Sequence, residues 1–129
     1  MSPEFLSVED VIEIHELQLA RYGGADGLRD QGLLESALAQ PQTSFGGTFV
    51  HEDLFAMAAA YLFHIVRNHA FVDGNKRTGL LSALVFLDIN GISIEQGSEA
   101  LYDLTMEVAQ GKSDKETIAA TLAQVASSP

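Results

Sequence analysis

LFAMAAAYLFHIVRNHAFVDGNKRTGLLSALVFLDI, residues 54–89, is the stretch that decides the fold. Two strongly apolar segments, 54–66 and 80–89, enclose a polar loop that begins at His69. Apolar residues occupy nearly every face of both segments when they are drawn as helices, which is typical of helices buried in a core. Neither segment reaches the length of about 20 residues that a membrane span needs. The stretch therefore predicts two core helices, and it marks the polar loop between them as a candidate functional site.

Capping and turn residues divide the preceding part of the chain into two more helices. Ser7 opens a sequence typical of a capping box, and apolar residues then recur at helical spacing until Gly23 and Gly24. Asp30 is placed to cap a short second helix that ends before Pro41. Both helices are amphipathic, so we expect them to pack against the core pair.

The end of the chain continues the helical pattern. Residues 92–94 predict a short extended segment, and residues 98–109 and 113–125 predict two final helices. No repeat and no long linker divides the chain, so residues 1–129 are interpreted as one domain. The predicted fold class is all-α, with about six helices.

Residues 42–50 differ from the helical segments because glycines and aromatic residues are concentrated there. The members that define the pattern are Phe45, Gly46, Gly47, Thr48 and Phe49. A Gly-Gly pair is typical of a hairpin turn, so we predict a small β-hairpin, here called the flap. The two aromatic rings have an alternative interpretation as a clamp on the core, and the sequence favours neither.

Composition excludes several classes of protein. The 18 acidic and 7 basic residues give a net charge of −11, which disfavours direct nucleic acid binding because such binding requires many cations facing phosphates. The absence of cysteine excludes disulfides, thiolate metal ligands and cysteine nucleophiles. The start, Met-Ser-Pro-Glu, does not resemble a secretion signal. We therefore expect a cytoplasmic protein with no membrane segment.

Positive charge is concentrated around the polar loop of this acidic protein. Arg67, Lys76 and Arg77 are three of the seven basic residues, within a window of eleven positions. Two of them lie where the fourth predicted helix begins, although cations oppose the dipole at a helix N-terminus. An anion bound at that point explains the pattern better than solvated side chains do. Arg67 has two equal interpretations, a phosphate contact or a salt bridge.

The residues inside the loop supply groups for chemistry on such an anion. Asp73, Gly74 and Asn75 form a turn and cap signal, which directs free helix N–H groups at the loop. Asp73 offers one carboxylate to a divalent cation, and His69 offers a base that titrates near neutral pH. Taken singly, Asp73 and Gly74 are better explained by a turn with an N-cap, and His69 is better explained by an ordinary hydrogen-bonded loop histidine. The remaining histidines, including His15, carry no partner pattern and are interpreted as structural or exposed.

The loop resembles the signature of the Fic/Doc superfamily, and specifically its Doc branch of "death on curing" toxins from toxin–antitoxin pairs. The residues that carry the resemblance are His69-x-Phe71-x-Asp73-Gly74-Asn75-Lys76-Arg77. The segment 30–41, the flap and the short helical chain are also similar to Doc proteins. The resemblance implies transfer of a phosphate-containing group from ATP, with Mg²⁺, to a hydroxyl of a protein.

The resemblance also implies roles for individual residues. His69 is implied as the general base and Asp73 as the Mg²⁺ ligand. Gly74, Asn75 and Lys76 are implied to line the nucleotide pocket, with help from the Asn75 side chain, while Arg77 holds phosphate oxygens. The catalytic set is therefore expected to be His69, Asp73, Asn75, Lys76 and Arg77, with Arg67 as a further nucleotide contact. Phe45, Gly46, Gly47 and Thr48 of the flap are implied to pair with the target backbone.

Departures from the broader Fic pattern bear on the reaction. Members that transfer AMP usually carry Pro, Gly and a second Arg where this chain has Ala70, Lys76 and Leu80. In Doc proteins, the corresponding changes accompany transfer of the γ-phosphate, so the resemblance implies a protein kinase. A protein AMP-transferase and a catalytically silent binding module are the alternatives.

The resemblance further implies what the protein acts on and what controls it. The target implied is a threonine of translation elongation factor Tu, whose modification stops protein synthesis. An inhibitory segment of the kind found in some Fic proteins is only approached by Thr48 and Glu52, and Asp53 does not fit its pattern. We therefore expect control by a Phd-like antitoxin, whose tail folds as a helix into an apolar groove.

Overall fold

A computed structural model describes residues 2–95 and 98–127. Within these ranges the chain forms six α-helices, one 3₁₀ turn at Gln40–Gln42 and one two-stranded antiparallel sheet. The helices are α1 (Val8–Tyr22), α2 (Gln31–Ala39), α3 (Leu54–Asn68), α4 (Asn75–Ile89), α5 (Glu99–Ala109) and α6 (Lys115–Ser127), and the strands are β1 (Ser44–Phe45) and β2 (Thr48–Phe49). The predicted class, a mostly helical fold with a small hairpin, is confirmed.

Helix α3 is the centre of the fold. It packs against α2, α4, α5 and α6, and eight of its residues are buried, as expected for a helix that is apolar on most faces. It approaches α4 closely at Gly79, where an added Cβ would lie 2.7 Å from Cγ2 of Val66 and 3.3 Å from the carbonyl oxygen of Leu62. The two helices therefore meet almost backbone to backbone, and this contact fixes the two ends of the polar loop.

Side-chain caps begin α1 and α2 where the sequence predicted them. Ser7 and Asp10 form the reciprocal capping box of α1, and the carboxylate of Asp30 accepts the backbone N–H of Leu33 in α2. Helix α6 begins after residue 113, its predicted start, because the Asp114 carboxylate accepts the N–H of Thr117 and the helix follows it. The cap of α6 is therefore Asp114.

The flap is a tight hairpin. Ser44 pairs with Phe49 and Phe45 with Thr48, and both turn glycines have positive φ, 59° and 82°, as a type I′ turn requires. The two aromatic rings differ in their surroundings. Phe49 lies 5.5 Å from the ring of Phe5, whereas Phe45 is 86% exposed. The clamp interpretation thus holds for Phe49 alone, and Phe45 projects from the hairpin into solvent.

Two further differences concern the second half of the chain. Residues 92–94 form no strand; the N–H of Ile92 donates to the carbonyl of Leu87 and closes the turn after α4. Helices α5 and α6 begin one and two residues later than predicted. Among the described residues, no helix is long and apolar enough to cross a membrane. Met1, the first residue of the start examined for a signal, lies outside the described residues.

Candidate active site

The polar loop forms one side of a cavity of about 660 Å³. The cavity lies between the end of α3, the start of α4 and the length of α5. It is lined by Val66, Arg67, His69, Val72, Asp73, Gly74, Asn75, Lys76, Arg77, Leu80, Tyr102, Thr105, Met106 and Ala109. Cations and the loop form one part of this lining, while apolar side chains of α3, α4 and α5 form another. A cavity of this size and composition is typical of a small-molecule site.

His69 ends α3 in an unusual backbone conformation. Its φ of 54° and ψ of 46° place it in the left-handed region, and it is the one non-glycine residue of the described ranges with positive φ. Its side chain is exposed and lines the cavity. The left-handed turn stops the helix and directs the chain along the cavity wall, so the imidazole stands free for proton transfer.

The connection between α1 and α2 runs alongside the loop and holds its backbone. Leu28 forms an antiparallel bridge with Phe71, and the N–H of Val72 donates to the carbonyl of Gly27 at 2.9 Å. The carbonyl of Ala70 accepts two N–H groups, those of Arg29 at 2.7 Å and Asp30 at 3.0 Å. The loop therefore has a second chain segment as its support and is not a free connection between helices.

Asn75 fixes the loop from within, a role that the sequence did not predict. Its amide oxygen accepts the N–H of Phe71 and its amide nitrogen donates to the carbonyl of the same residue, both at 3.0 Å. The side chain is only 4% exposed, so it supplies partners to both groups of a buried backbone. Because the amide nitrogen carries two hydrogens and Asn75 also lines the cavity, the expected help of its side chain in binding an anion stays a prediction.

Asp73 presents an ionised carboxylate at the cavity. One oxygen accepts the N–H of Ala25 at 3.2 Å and the other accepts the N–H of Gly74 at 2.8 Å. These two hydrogen bonds, more than the nearby charge of Arg77, lower the pKa of the Asp73 carboxyl below its ordinary value. Each oxygen keeps a further lone pair, so the carboxylate can bind a cation without losing its support.

His15 is part of this support, which the sequence did not reveal. Its imidazole is 2% exposed, stacks on the ring of Phe71 at 3.9 Å and makes a hydrogen bond of 2.8 Å through Nε2 to the carbonyl of Asp73. With that geometry, Nε2 carries the proton and donates it to the carbonyl oxygen. The interaction joins residues 58 positions apart, so no local pattern could have indicated it.

The cations of the cavity are available to an anion. Among the residues that the structure describes, no side chain caps the N-terminus of α4, and the first residues of this helix line the cavity, so N–H groups of its first turn are available to a ligand there. Within the described part of the chain, Lys76 and Arg77 form no ion pair. Arg77 instead lies 4.3 Å from the centre of the Tyr22 ring. A phosphate group would be attracted both by these charges and by the positive end of the helix.

Arg67 has a role that neither sequence interpretation included. Its guanidinium donates to the carbonyl of Ala109 at 3.5 Å and lies against the turn at Gly111. A cation at this position stabilises the C-terminus of α5. No salt bridge of Arg67 occurs among the described residues, while the residue still lines the cavity.

The donor set fits a magnesium ion bound together with phosphates. Nowhere in the ranges 2–95 and 98–127 do three His, Asp or Glu side chains cluster as a metal cage. A single anchored carboxylate, Asp73, lines the same cavity as Lys76 and Arg77. Mg²⁺ is commonly held in this way, by one or two carboxylates, substrate phosphates and water. The flap, in contrast, contributes no residue to the lining of the cavity.

Comparison with known proteins identifies the family of the chain. A sequence model of the Fic/DOC family matches residues 5–87, which include α1, the flap, α3, the loop and most of α4. The chain belongs to the Fic/DOC family. It is similar to the protein named Toxin Doc of Mycolicibacterium smegmatis, with 41% identity over 122 residues that cover 93% of this chain and 92% of that protein. It is also 38% identical over 117 residues to the protein named Protein kinase doc of Escherichia phage P1, with 91% of each chain covered.

Proposed function

We propose that this protein is a Doc-type toxin that transfers the γ-phosphate of ATP to a serine or threonine hydroxyl of a protein. One observation carries the proposal. An exposed histidine in the left-handed conformation, His69, stands beside an uncapped helix N-terminus and two cations without ion pairs among the described residues, Lys76 and Arg77. A base, an anion site and the carboxylate of Asp73 thus line one cavity, which is the arrangement that phosphoryl transfer requires.

The chain's own residues supply positioning and charge. His69 accepts the proton of the target hydroxyl as its oxygen attacks the γ-phosphorus, the bond from that phosphorus to the bridging oxygen breaks, and ADP leaves. The α4 N–H groups, Lys76 and Arg77 stabilise the charge on the phosphate oxygens. Asp73 would hold Mg²⁺, which neutralises phosphate charge when bound. The rigid loop keeps His69 in line with the phosphate, and such positioning contributes much of the rate.

The position of Leu80 favours kinase over AMP-transferase chemistry. Leu80 lines the cavity one turn beyond Lys76, at the place where AMP-transferring members of the resembled family carry a second arginine. An apolar side chain there cannot bind a second charged phosphate. One relative is named a protein kinase, which supports the same assignment.

The name Toxin Doc carried by another relative supports a toxic role under antitoxin control. We propose elongation factor Tu as the target and a Phd-like antitoxin as the partner. The exposed Phe45 and the unpaired edges of the flap are suited to pairing with an extended target segment. The apolar part of the cavity wall, which includes Tyr102 and Met106 of α5, is suited to an amphipathic helix of the antitoxin.

Intact-mass spectrometry tests the activity and the target together. Purified elongation factor Tu is incubated with ATP, Mg²⁺ and either the wild-type protein or the His69→Ala variant. We expect a mass gain of one phosphate group with the wild type and none with the variant. A gain of AMP would establish the alternative reaction at the same site. If elongation factor Tu gains no mass, the incubation is repeated with a bacterial translation extract. No gain on any protein of that extract would contradict the proposal and favour a silent binding module.

A further inference from the structure

We propose that Arg29 is a positioning residue of the phosphoryl-transfer site, where it fixes the backbone from which the His69 imidazole projects. The inference rests on the proposed function. Two guanidinium nitrogens of Arg29 donate to the carbonyl oxygen of His69, Nε at 3.0 Å and Nη2 at 2.6 Å. The contact joins positions 40 residues apart and depends on the fork shape of the guanidinium.

The carbonyl that Arg29 holds is the one that needs a partner. His69 ends α3, and the carbonyls at a helix C-terminus have no partner within the helix. A left-handed histidine is also strained relative to a helical one, so it persists only if surrounding contacts determine it. The two hydrogen bonds from Arg29 orient the peptide group that follows His69, and this peptide group sets ψ of His69.

Arg29 acts on two successive peptide groups at once. Its side chain holds the carbonyl of His69, while its own N–H, together with that of Asp30, holds the carbonyl of Ala70. On the other side of His69 the chain is fixed by α3, since Asn68 donates its side-chain amide to the carbonyl of Leu33. The backbone frame of His69 is therefore determined from both sides, and only the imidazole is left to move.

A role as a phosphate ligand does not fit Arg29. The residue is absent from the lining of the cavity in the described part of the chain, unlike Lys76 and Arg77. Two of its guanidinium nitrogens are also directed at a backbone carbonyl. Loss of Arg29 should consequently affect the transfer step more than the binding of nucleotide, because a base displaced by about 1 Å can cost about a hundredfold in rate.

The test compares Arg29→Lys, Arg29→Gln and Lys112→Gln. Arg29→Lys keeps the positive charge, but a lysine cannot donate two hydrogen bonds in the geometry of a guanidinium. Lys112→Gln is the control for charge, because Lys112 is exposed and its replacement changes the net charge as Arg29→Gln does. For each folded variant, kcat of phosphate transfer and the dissociation constant of Mg–ATP are measured. We expect kcat to fall about ten- to a hundredfold in both Arg29 variants, with the dissociation constant changed less than about twofold and Lys112→Gln like the wild type. A further variant, Arg29→Ala, is measured in the same way, and guanidinium ion at millimolar concentration should restore part of its activity.

Two results would overturn the inference. Wild-type kcat in Arg29→Lys would show that the fork contact is not needed, and equal losses of kcat and Mg–ATP affinity would make Arg29 a nucleotide ligand. Failure of the proposed function is separable, because it would appear as a wild-type protein without transfer activity. In that case the amide NMR signal of Ala70 tests the positioning role by itself, because the N–H of Ala70 belongs to the same peptide group as the carbonyl of His69 that Arg29 binds. An unchanged signal in Arg29→Lys would refute the positioning role, and a shifted one with intact signals elsewhere would support it.

Discussion

At the residue scale, the loop motif identified which side chains share the cavity but not what holds them there. His69, Asp73 and Arg77 could be proposed from sequence because their spacing forms a pattern within nine positions. His15 and Arg29 could not, because they act through contacts that only the folded chain creates. The structural role of Asn75 was hidden for a related reason, because its amide bonds both backbone groups of Phe71 in the folded loop. Its expected contact with an anion stays a prediction.

Gly24 gives the sharpest test of the Asp73 carboxylate. An added Cβ at Gly24, where φ is 119°, would lie 2.9 Å from Oδ2 of Asp73. Gly24→Ala should therefore displace the carboxylate and weaken Mg-dependent ATP binding about tenfold, as loss of support around a metal ligand does. Gly23→Ala is the matched control, because that position also has positive φ but nothing within 4 Å. Titration calorimetry with Mg–ATP measures both, and equal affinities in the two variants would argue against a role for this contact.

Replacement of Asn75 tests whether its amide closes the loop. Asn75→Ala leaves the buried N–H and carbonyl of Phe71 without their partners, so the free energy of unfolding should fall by about 1–3 kcal/mol. Urea denaturation followed by circular dichroism measures this loss. A variant that keeps wild-type stability but loses ATP affinity would instead support the expected role as an anion ligand.

At the element scale, helices were predictable because they carry caps and apolar periods, whereas their contacts were not. The flap was recognisable from its glycine pair, but its separation from the lining of the cavity was not. Gly79 gave no local sign that α3 and α4 approach closely there.

Gly79→Ala places a methyl group against Val66 and the backbone of Leu62 and should destabilise the protein by about 1–3 kcal/mol. Gly32→Ala, on the exposed side of α2, should cause a smaller loss, because its added Cβ meets only the end of the Asp30 side chain, at 3.3 Å, and no buried backbone. Similar thermal unfolding of both variants would contradict the close packing.

At the scale of the whole molecule, stability should depend on pH through a group outside the site. His64 accepts a hydrogen bond from the ammonium of Lys115 at 3.2 Å, and burial, with the charge of Lys115 and of nearby His51, lowers the pKa of His64 to about 4. The His64 imidazole is protonated near pH 6.5 in the unfolded chain but only near pH 4 in the folded chain. The free energy of unfolding should therefore fall as the pH is lowered through this range. Urea denaturation at several pH values should show that the free energy of unfolding depends less on pH in His64→Gln than in the wild type. The same dependence on pH in both proteins would contradict the role of His64.

The net charge of −11 sets a second property of the whole molecule. Its long-range field repels ATP, and only the local cations and the helix N-terminus oppose it. Mg²⁺ should therefore strengthen ATP binding substantially, and an excess of chelator should weaken it. Equal affinities with and without chelator would show that nucleotide binding does not depend on the cation.

The central claim, transfer of the γ-phosphate by the loop that begins at His69, is tested most directly with labelled nucleotide. A bacterial translation extract is incubated with the protein and ATP labelled either at the γ- or at the α-phosphate, with His69→Ala in parallel. We expect a labelled protein only from γ-labelled ATP and only with His69 present. Label from α-labelled ATP alone, or label that persists in His69→Ala, would contradict it.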